Sequence, residues 1–220
     1  MDIRLGQSNG ERHARSAVTP LAAYVRANGA PGDRPARVEA EAAVRTLIRW
    51  AGDNPDRDGL RDTPARVIRA YEEWFRGYRE DAGDLLKQTF DEIGGYQDPV
   101  LLRDIPMNSY CEHHMAPIRG KAHISYLPAA RVVGISKLVR VVEAFSCRLQ
   151  IQERLTDDIA NAIDLALNPL GVAVVLEADH ACMSSRGVRT QGTRMITKRM
   201  LGAFAEDGAV RREFLGAIGL

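Results

Sequence analysis

The sequence predicts an α+β protein, an antiparallel ββααββ sheet with its helices on one face, preceded by a pair of N-terminal helices. Three observations carry that expectation. Apolar residues recur at helical spacing in two stretches before residue 80. Two strand-like stretches, 99–109 and 118–127, then precede two helical ones, 136–147 and 151–167. Two more strand-like stretches, 171–179 and 187–197, close the pattern. Two hairpins flanking a helical pair set four strands side by side and leave the helices to cover them.

The elements follow in order. Residues 1–34, rich in Arg, Ala and Gly, read as a flexible tail. Asp2, Glu11 and Asp33 argue against a transit peptide, which is poor in acids. A domain spans 35–220, with a helical part over 35–95 and a sheet part over 96–220. Ala40, Val44, Leu47, Ile48 and Ala51 recur at helical spacing, which predicts an amphipathic helix over 36–51. Thr63 is a good N-cap and Pro64 suits the first helical position, where its missing N–H costs nothing. Val67, Ile68, Tyr71, Trp74 and Phe75 give that second helix its apolar face, with a stop near Gly77. Gly94-Gly95 marks a bend before the first strand, and Val132-Val133 reads as a short strand extension. Leu138, Val141, Val142 and Phe145 mark the third helix; Leu155, Ile159, Ile163 and Leu167 mark the fourth, ending before Pro169. The apolar run Val172–Leu176 suits a buried strand, 187–197 is polar and Thr-rich, and 207–218 is a short terminal helix.

Composition narrows the function. Lys+Arg total 30 and Asp+Glu 29, a net charge of +1, which argues against nucleic acid or an anionic membrane as partner. No run approaches the roughly 20 apolar residues that cross a bilayer. Three cysteines, Cys111, Cys147 and Cys182, make a poor disulfide framework and suit a reducing, cytoplasmic compartment. No Gly-rich turn of the dinucleotide or P-loop type joins a strand to a helix.

Chemistry gathers in three places. In Cys111-Glu112-His113-His114, a tight turn brings Cys111 and His114 onto one ion and leaves His113 pointing elsewhere, free for other work. His180-Ala181-Cys182 follows the buried strand, and Cys182 could close a three-ligand site with an open fourth position, the mark of catalytic zinc. The spacing alone serves a metal site or small buried thiols equally well. Cys147, on a helix beside an apolar face, reads as structural. Ser136 as N-cap, Lys137 in the first turn and Arg140 one turn on open the third helix, either as an anion site or as a solvated basic face; Arg186 adds a cation just past Cys182. Gln152 and Glu153 open the fourth helix, where a carboxylate either favours the dipole or accepts from the N–H edge of a purine.

Together these segments resemble GTP cyclohydrolase I. The resemblance rests on Cys111-Glu112-His113-His114, Gly120-Lys121-Ala122-His123, Val133-Gly134-Ile135-Ser136-Lys137-Leu138, Gln152-Glu153-Arg154-Leu155-Thr156 and His180-x-Cys182 followed by Arg186-Gly187. All fall in the family's order, and Asp62-Thr63-Pro64-x-Arg66-Val67 also fits, so the likeness covers about residues 36–218. It implies a tunnelling fold and a toroidal homodecamer whose active sites are shared between subunits. It implies that Cys111, His114 and Cys182 hold Zn²⁺, and that His113 and His180 move protons. Gln152 and Glu153 would read the guanine edge; Ser136, Lys137, Arg140 and Arg186, with Arg66, would hold the triphosphate. The implied reaction is hydrolysis of GTP at C8, loss of formate, and closure to 7,8-dihydroneopterin triphosphate, with no redox cofactor.

Two departures stand out. Arg148-Leu149-Gln150 replaces the family's frequent Arg-Pro-Gln, and Arg194 places a charge in the Thr-rich strand. Three rival functions differ in chemistry. A zinc-free nitrile reductase of the same fold needs a Cys nucleophile and NADPH. A structural-zinc binding protein needs a fourth protein ligand. A paralogue could open GTP without completing the pterin.

Overall fold

The computed structural model describes residues 34–87, 89–90 and 96–220. Except for Arg34, the tail expected over 1–34 lies outside the described residues, as do Gly94 and Gly95.

Helices α1 (Arg37–Trp50) and α2 (Thr63–Trp74) pack on each other as the N-terminal pair. Thr63 is the first residue of α2 rather than its cap; Asp62 holds the cap position, and no side chain caps the helix. Pro64 sits in the first turn as expected. No residue of α1 is buried, and Leu47 and Trp50 are 64% and 88% exposed. A single neighbouring helix leaves much of the α1 apolar stripe uncovered within one chain. A 3-10 turn (Arg76–Arg79) and a one-turn helix α3 (Ala82–Leu85) lead into the sheet part.

The strands are β1 (Thr89–Phe90), β2 (Val100–Cys111), β3 (Pro117–Leu127), β4 (Val132–Val133), β5 (Leu149–Gln150), β6 (Gly171–His180) and β7 (Met195–Gly202). Helix α4 (Ile135–Ser146) follows β4, and α5 (Gln152–Leu167) follows β5. A single turn, α6 (Ala181–Ser184), follows β6; α7 (Ala203–Glu206) and α8 (Gly208–Ala217) end the chain. The main sheet has the order β5-β2-β3-β6-β7, antiparallel throughout except for the short parallel β5 edge. Val132-Val133 does not extend this sheet. It pairs with β1 in a separate two-stranded ribbon, fixed by Val133 N–H donating to Tyr126 Oη at 3.3 Å.

The strand expected over 187–197 begins only at Met195. Gly187, Arg189 and Gly192 all take positive φ, so the Thr-rich stretch turns repeatedly and forms a loop. The helices are also not confined to one face. Val172, Val174, Leu176 and Ala178 of β6 face a core shared with α4 and α5, while Ala173 and Val175 face Phe204 and Phe214 of the C-terminal helices. A strand apolar on both faces needs cover on both.

The central ladder is β3 against β6, running from Ile118↔His180 to Leu127↔Gly171 without a break. Gly120 makes the closest approach in it. A Cβ there would lie 2.0 Å from the Glu177 carbonyl oxygen and 2.6 Å from the Ala178 Cα. Neither atom can yield without moving β6, so Gly120→Ala should destabilise the fold by about 1–3 kcal/mol, read as a lower denaturant midpoint.

His123 lies beneath a bulge in β2 and is 2% exposed. Its Nδ1 accepts from the backbone N–H of Asp104, whose φ is 59°. Burial holds the ring below its ordinary value of 6.5, outweighing the nearby Asp104 carboxylate. Below that value the unfolded chain takes a proton that the folded chain refuses, so stability falls as pH drops from about 6.5 toward the lowered folded value. His123→Gln keeps an acceptor and removes the titration. Denaturant melts between pH 7.5 and 5 should then show a shallower loss for the variant, by up to about 1.4 kcal/mol per pH unit.

Candidate active site and metal centre

The β3–β6 ladder brings two chain ends together. Tyr110 pairs with Pro117 at the β2–β3 turn, and Ile118 pairs with His180 at the end of β6. Cys111 therefore sits beside the turn that carries Cys182. The ligand atoms of Cys111, His114 and Cys182 all lie within 4.8 Å of one another, the one such His/Cys/Asp/Glu group found among the described residues. The expectation drawn from Cys-x-x-His and the distant Cys182 thus corresponds to one cluster.

The turn is tightly held. Met115 N–H donates to the Cys111 carbonyl at 2.8 Å, and Met115 takes φ 52° to close it. Cys111 N–H donates to the Ala116 carbonyl, also at 2.8 Å. Glu112 N–H donates to the Gln150 carbonyl, continuing the β2–β5 pairing into the turn. Tyr110 anchors the same end of β2: Trp74 stacks on it at 5.2 Å and Phe75 meets it edge-on at 5.0 Å. Sequence reasoning missed the Arg154–Glu112 ion pair at 3.2 Å, which ties the Cys111–His114 turn to α5. Its signal was a carboxylate inside the Cys-His motif with an arginine beside Glu153.

Cys111 is buried, Cys182 half-buried and His114 exposed, so the cluster opens to solvent on the histidine side. Burial and the adjacent Cys111 thiol push the Cys182 thiol above its ordinary value. Two neighbouring thiols resist joint ionisation, and a cation between them reverses that balance. Two sulfurs and an imidazole suit a borderline-soft ion such as Zn²⁺. Cys147 is buried, and burial pushes its thiol up, in keeping with a structural role.

The two candidate acid–base histidines flank the cluster. His113 Nδ1 lies 3.7 Å from Cys111 Sγ, with its ring largely exposed, so it does not turn away from the cluster. His180 ends β6, and burial lowers its affinity for a proton. Arg186 Nη1 donates to His114 Nε2 at 2.9 Å, which puts that cation at the site. Glu153 is exposed in the first turn of α5.

The profile of the GTP cyclohydrolase I family matches residues 40–219. The chain belongs to the GTP cyclohydrolase I family. "GTP cyclohydrolase 1" of Maricaulis maris (strain MCS10) is 52% identical over 199 residues, covering 90% of this chain and 96% of that protein. "GTP cyclohydrolase 1" of Sinorhizobium fredii (strain NBRC 101917 / NGR234) is 53% identical over 182 residues, covering 83% and 89%. The solved structure of "the archaeosine synthase QueF-Like in the apo form" is 19% identical with a TM-score of 0.41, covering 49% of this chain and 96% of that one.

Not every family position converges in one chain. Ser136, Lys137 and Arg140 lie in the first half of α4, which starts beside Tyr126 at the far end of β3. The Cys111, His114 and Cys182 cluster lies beyond the other end of α4, where β5 pairs with Tyr110 and Cys111. A helix of 12 residues spans roughly 18 Å. Ser136 caps nothing, since Gly134 precedes the helix and Ser136 stands inside its first turn. Arg66 is exposed on α2 and meets Asp62 at 3.5 Å. Gln152, expected at the guanine edge, is 1% exposed, and its side-chain amide is already engaged by the protein.

Cys182→Ser and Cys111→Ser should each weaken metal binding at least about tenfold. Metal analysis after dialysis against a zinc buffer reads this, and His113→Ala should retain the wild-type content.

Proposed function

We propose that this chain hydrolyses GTP at C8, releases that carbon as formate and recloses the remainder as 7,8-dihydroneopterin triphosphate, the first step of tetrahydrofolate and pterin biosynthesis. The observation that carries the reading is the Cys111, His114 and Cys182 cluster with His180 two residues from Cys182 and His113 beside Cys111. The relatives named "GTP cyclohydrolase 1", at 52% and 53% identity, support the substrate.

Zn²⁺ is the proposed ion, held by Cys111, His114 and Cys182. Bound there, it supplies a Lewis acid that makes water a nucleophile near neutral pH. The protein does the rest. Glu153 accepts from the N–H edge of guanine and sets C8 against the cluster. His113 and His180 hold and move protons at their ring nitrogens, first to the opening imidazole ring and later during rearrangement of the ribose. Arg186 neutralises phosphate charge close to the metal.

Ser136, Lys137 and Arg140 stand at the end of α4 that is remote from the cluster. A second copy of the chain supplies them in this reading, together with Arg66. The exposed apolar stripe of α1, with Leu47 and Trp50, agrees with further contact between copies. A toroidal homodecamer of tunnelling-fold subunits satisfies both requirements. The three unpaired cysteines agree with a reducing, cytoplasmic setting. No helix among the described residues is long and apolar enough to cross a membrane.

The test is aerobic incubation with GTP, with and without a zinc chelator, followed by oxidation and dephosphorylation. Neopterin and formate in equal amounts, both lost on chelation, are expected. His113→Ala should keep its metal and lose about a hundredfold or more in turnover. Formate without neopterin would identify an enzyme that opens GTP and stops. Neither product, from folded and metal-loaded protein, would overturn the proposal.

A further inference from the structure

Gln152 is the first residue of α5 and is almost fully enclosed. Its side-chain nitrogen Nε2 lies 3.2 Å from the Leu176 carbonyl, 3.0 Å from the Met195 carbonyl and 3.1 Å from Thr197 Oγ1. Its side-chain oxygen Oε1 lies 2.8 Å from His180 Nε2. Hydrogen-bond chemistry fixes which way this amide faces. Carbonyl oxygens only accept. Thr156 Oγ1 donates to the Gln152 backbone carbonyl at 2.7 Å. Thr197 Oγ1 is 2.6 Å from Thr156 Oγ1, whose proton is already used, so Thr197 donates to Thr156. The Thr197 hydroxyl is then left to accept from Gln152. Every partner on that side of the amide is an acceptor. A flipped amide would set Oε1 against two carbonyl oxygens and the NH₂ group against His180.

Oε1 therefore points at His180, and an amide oxygen can only accept. His180 Nε2 must carry the hydrogen. In the neutral ring the lone pair is then on Nδ1, which has no hydrogen-bond partner among the described residues.

We infer that Gln152 is a positioning residue: its amide, locked by Leu176, Met195 and Thr197, fixes the ring orientation and tautomer of His180 and presents Nδ1 as the nitrogen that exchanges a proton with substrate. This rests on the proton-moving role given to His180 above and replaces the expectation that the Gln152 side chain reads guanine. The same anchor joins α5, β6 and β7. The two hydrogens of Nε2 are shared among the Leu176 and Met195 carbonyls and Thr197 Oγ1 at the end of the β6–β7 ladder, whose last pair is Ala178↔Met195.

Two variants test it, Gln152→Met, which keeps the volume and loses the amide, and Thr197→Val, which loosens the amide without approaching substrate. Steady-state kinetics with GTP, metal content, thermal melts and ¹⁵N spectra of histidine-labelled protein are read on both, with His180→Asn to assign the His180 signals. In Gln152→Met, kcat should fall about 10–100-fold while KM stays within about twofold and metal content holds. Thr197→Val should lower kcat several-fold, and the double variant should be no slower than Gln152→Met alone. The wild-type spectrum should show His180 protonated at Nε2, and Gln152→Met should show mixed tautomers. A raised KM with unchanged kcat would overturn the inference in favour of guanine reading. So would unchanged kinetics, loss of metal in step with kcat, or a wild-type ring protonated at Nδ1 alone. If Gln152→Met fails to fold, Thr197→Val and the wild-type spectrum still decide. The spectrum needs no substrate, so a wild-type protein that does not turn over GTP would sink the proposed reaction without deciding the tautomer.

Discussion

The register between β3 and β6 is the constraint on which the rest depends. Ten consecutive pairs run from Ile118↔His180 to Leu127↔Gly171. Because β2 pairs with β3 as well, this one register sets Cys111, at the end of one strand, beside Cys182, just past the end of another. A slip of one residue would move Cys182 by about 3.3 Å and turn Val172, Val174 and Leu176 from the helical core to the opposite face. Core and site are therefore specified by the same hydrogen bonds. Gly120 belongs to this lock, since the backbone of β6 occupies the space a side chain would need. The three clustered side chains come from two turns at one end of a rigid sheet, an arrangement better held than one on free loops.

The site's electrostatics follow from that placement. Two thiols and an imidazole meet in a half-buried corner, with Arg186 against the imidazole and the Arg154–Glu112 pair bracing the turn. The environment disfavours an ionised Cys182, so a cation taken up by this cluster would displace a proton from the thiol. The two candidate acid–base histidines sit beside the cluster. His180 is held by a buried amide network, while His113 is exposed beside Cys111. Two histidines in different surroundings suit two different proton transfers.

Much of this was legible in the sequence, and the reasons are local. Cys-x-x-His in a tight turn and a Cys after an apolar strand carry their own spacing, and the strand ends brought them together. Helices α4 and α5 announced themselves by period, and Asn168, at φ 46°, ends α5 just before Pro169. Other features were not legible because their cause is not local. The Thr-rich run after Arg186 has β-branched residues that suit a strand, yet positive-φ residues turn it into a loop and β7 starts at Met195. Val132-Val133 has strand character, but nothing in it says that its partner is β1. Ser136, Lys137 and Arg140 looked convergent with Cys182 because sequence motifs carry no distances; the length of α4 separates them. The fate of Gln152 depended on carbonyls of β6 and β7, which no spacing rule counts.

X-ray absorption at the zinc edge of the reconstituted protein bears most directly on the claim that one sheet register builds an open three-ligand centre. Two sulfur scatterers and one imidazole per zinc, with the remaining light scatterer supplied by solvent, are the expected result, and Cys182→Ser should remove one sulfur. One sulfur in the wild type, or a second imidazole filling the fourth position, would contradict it.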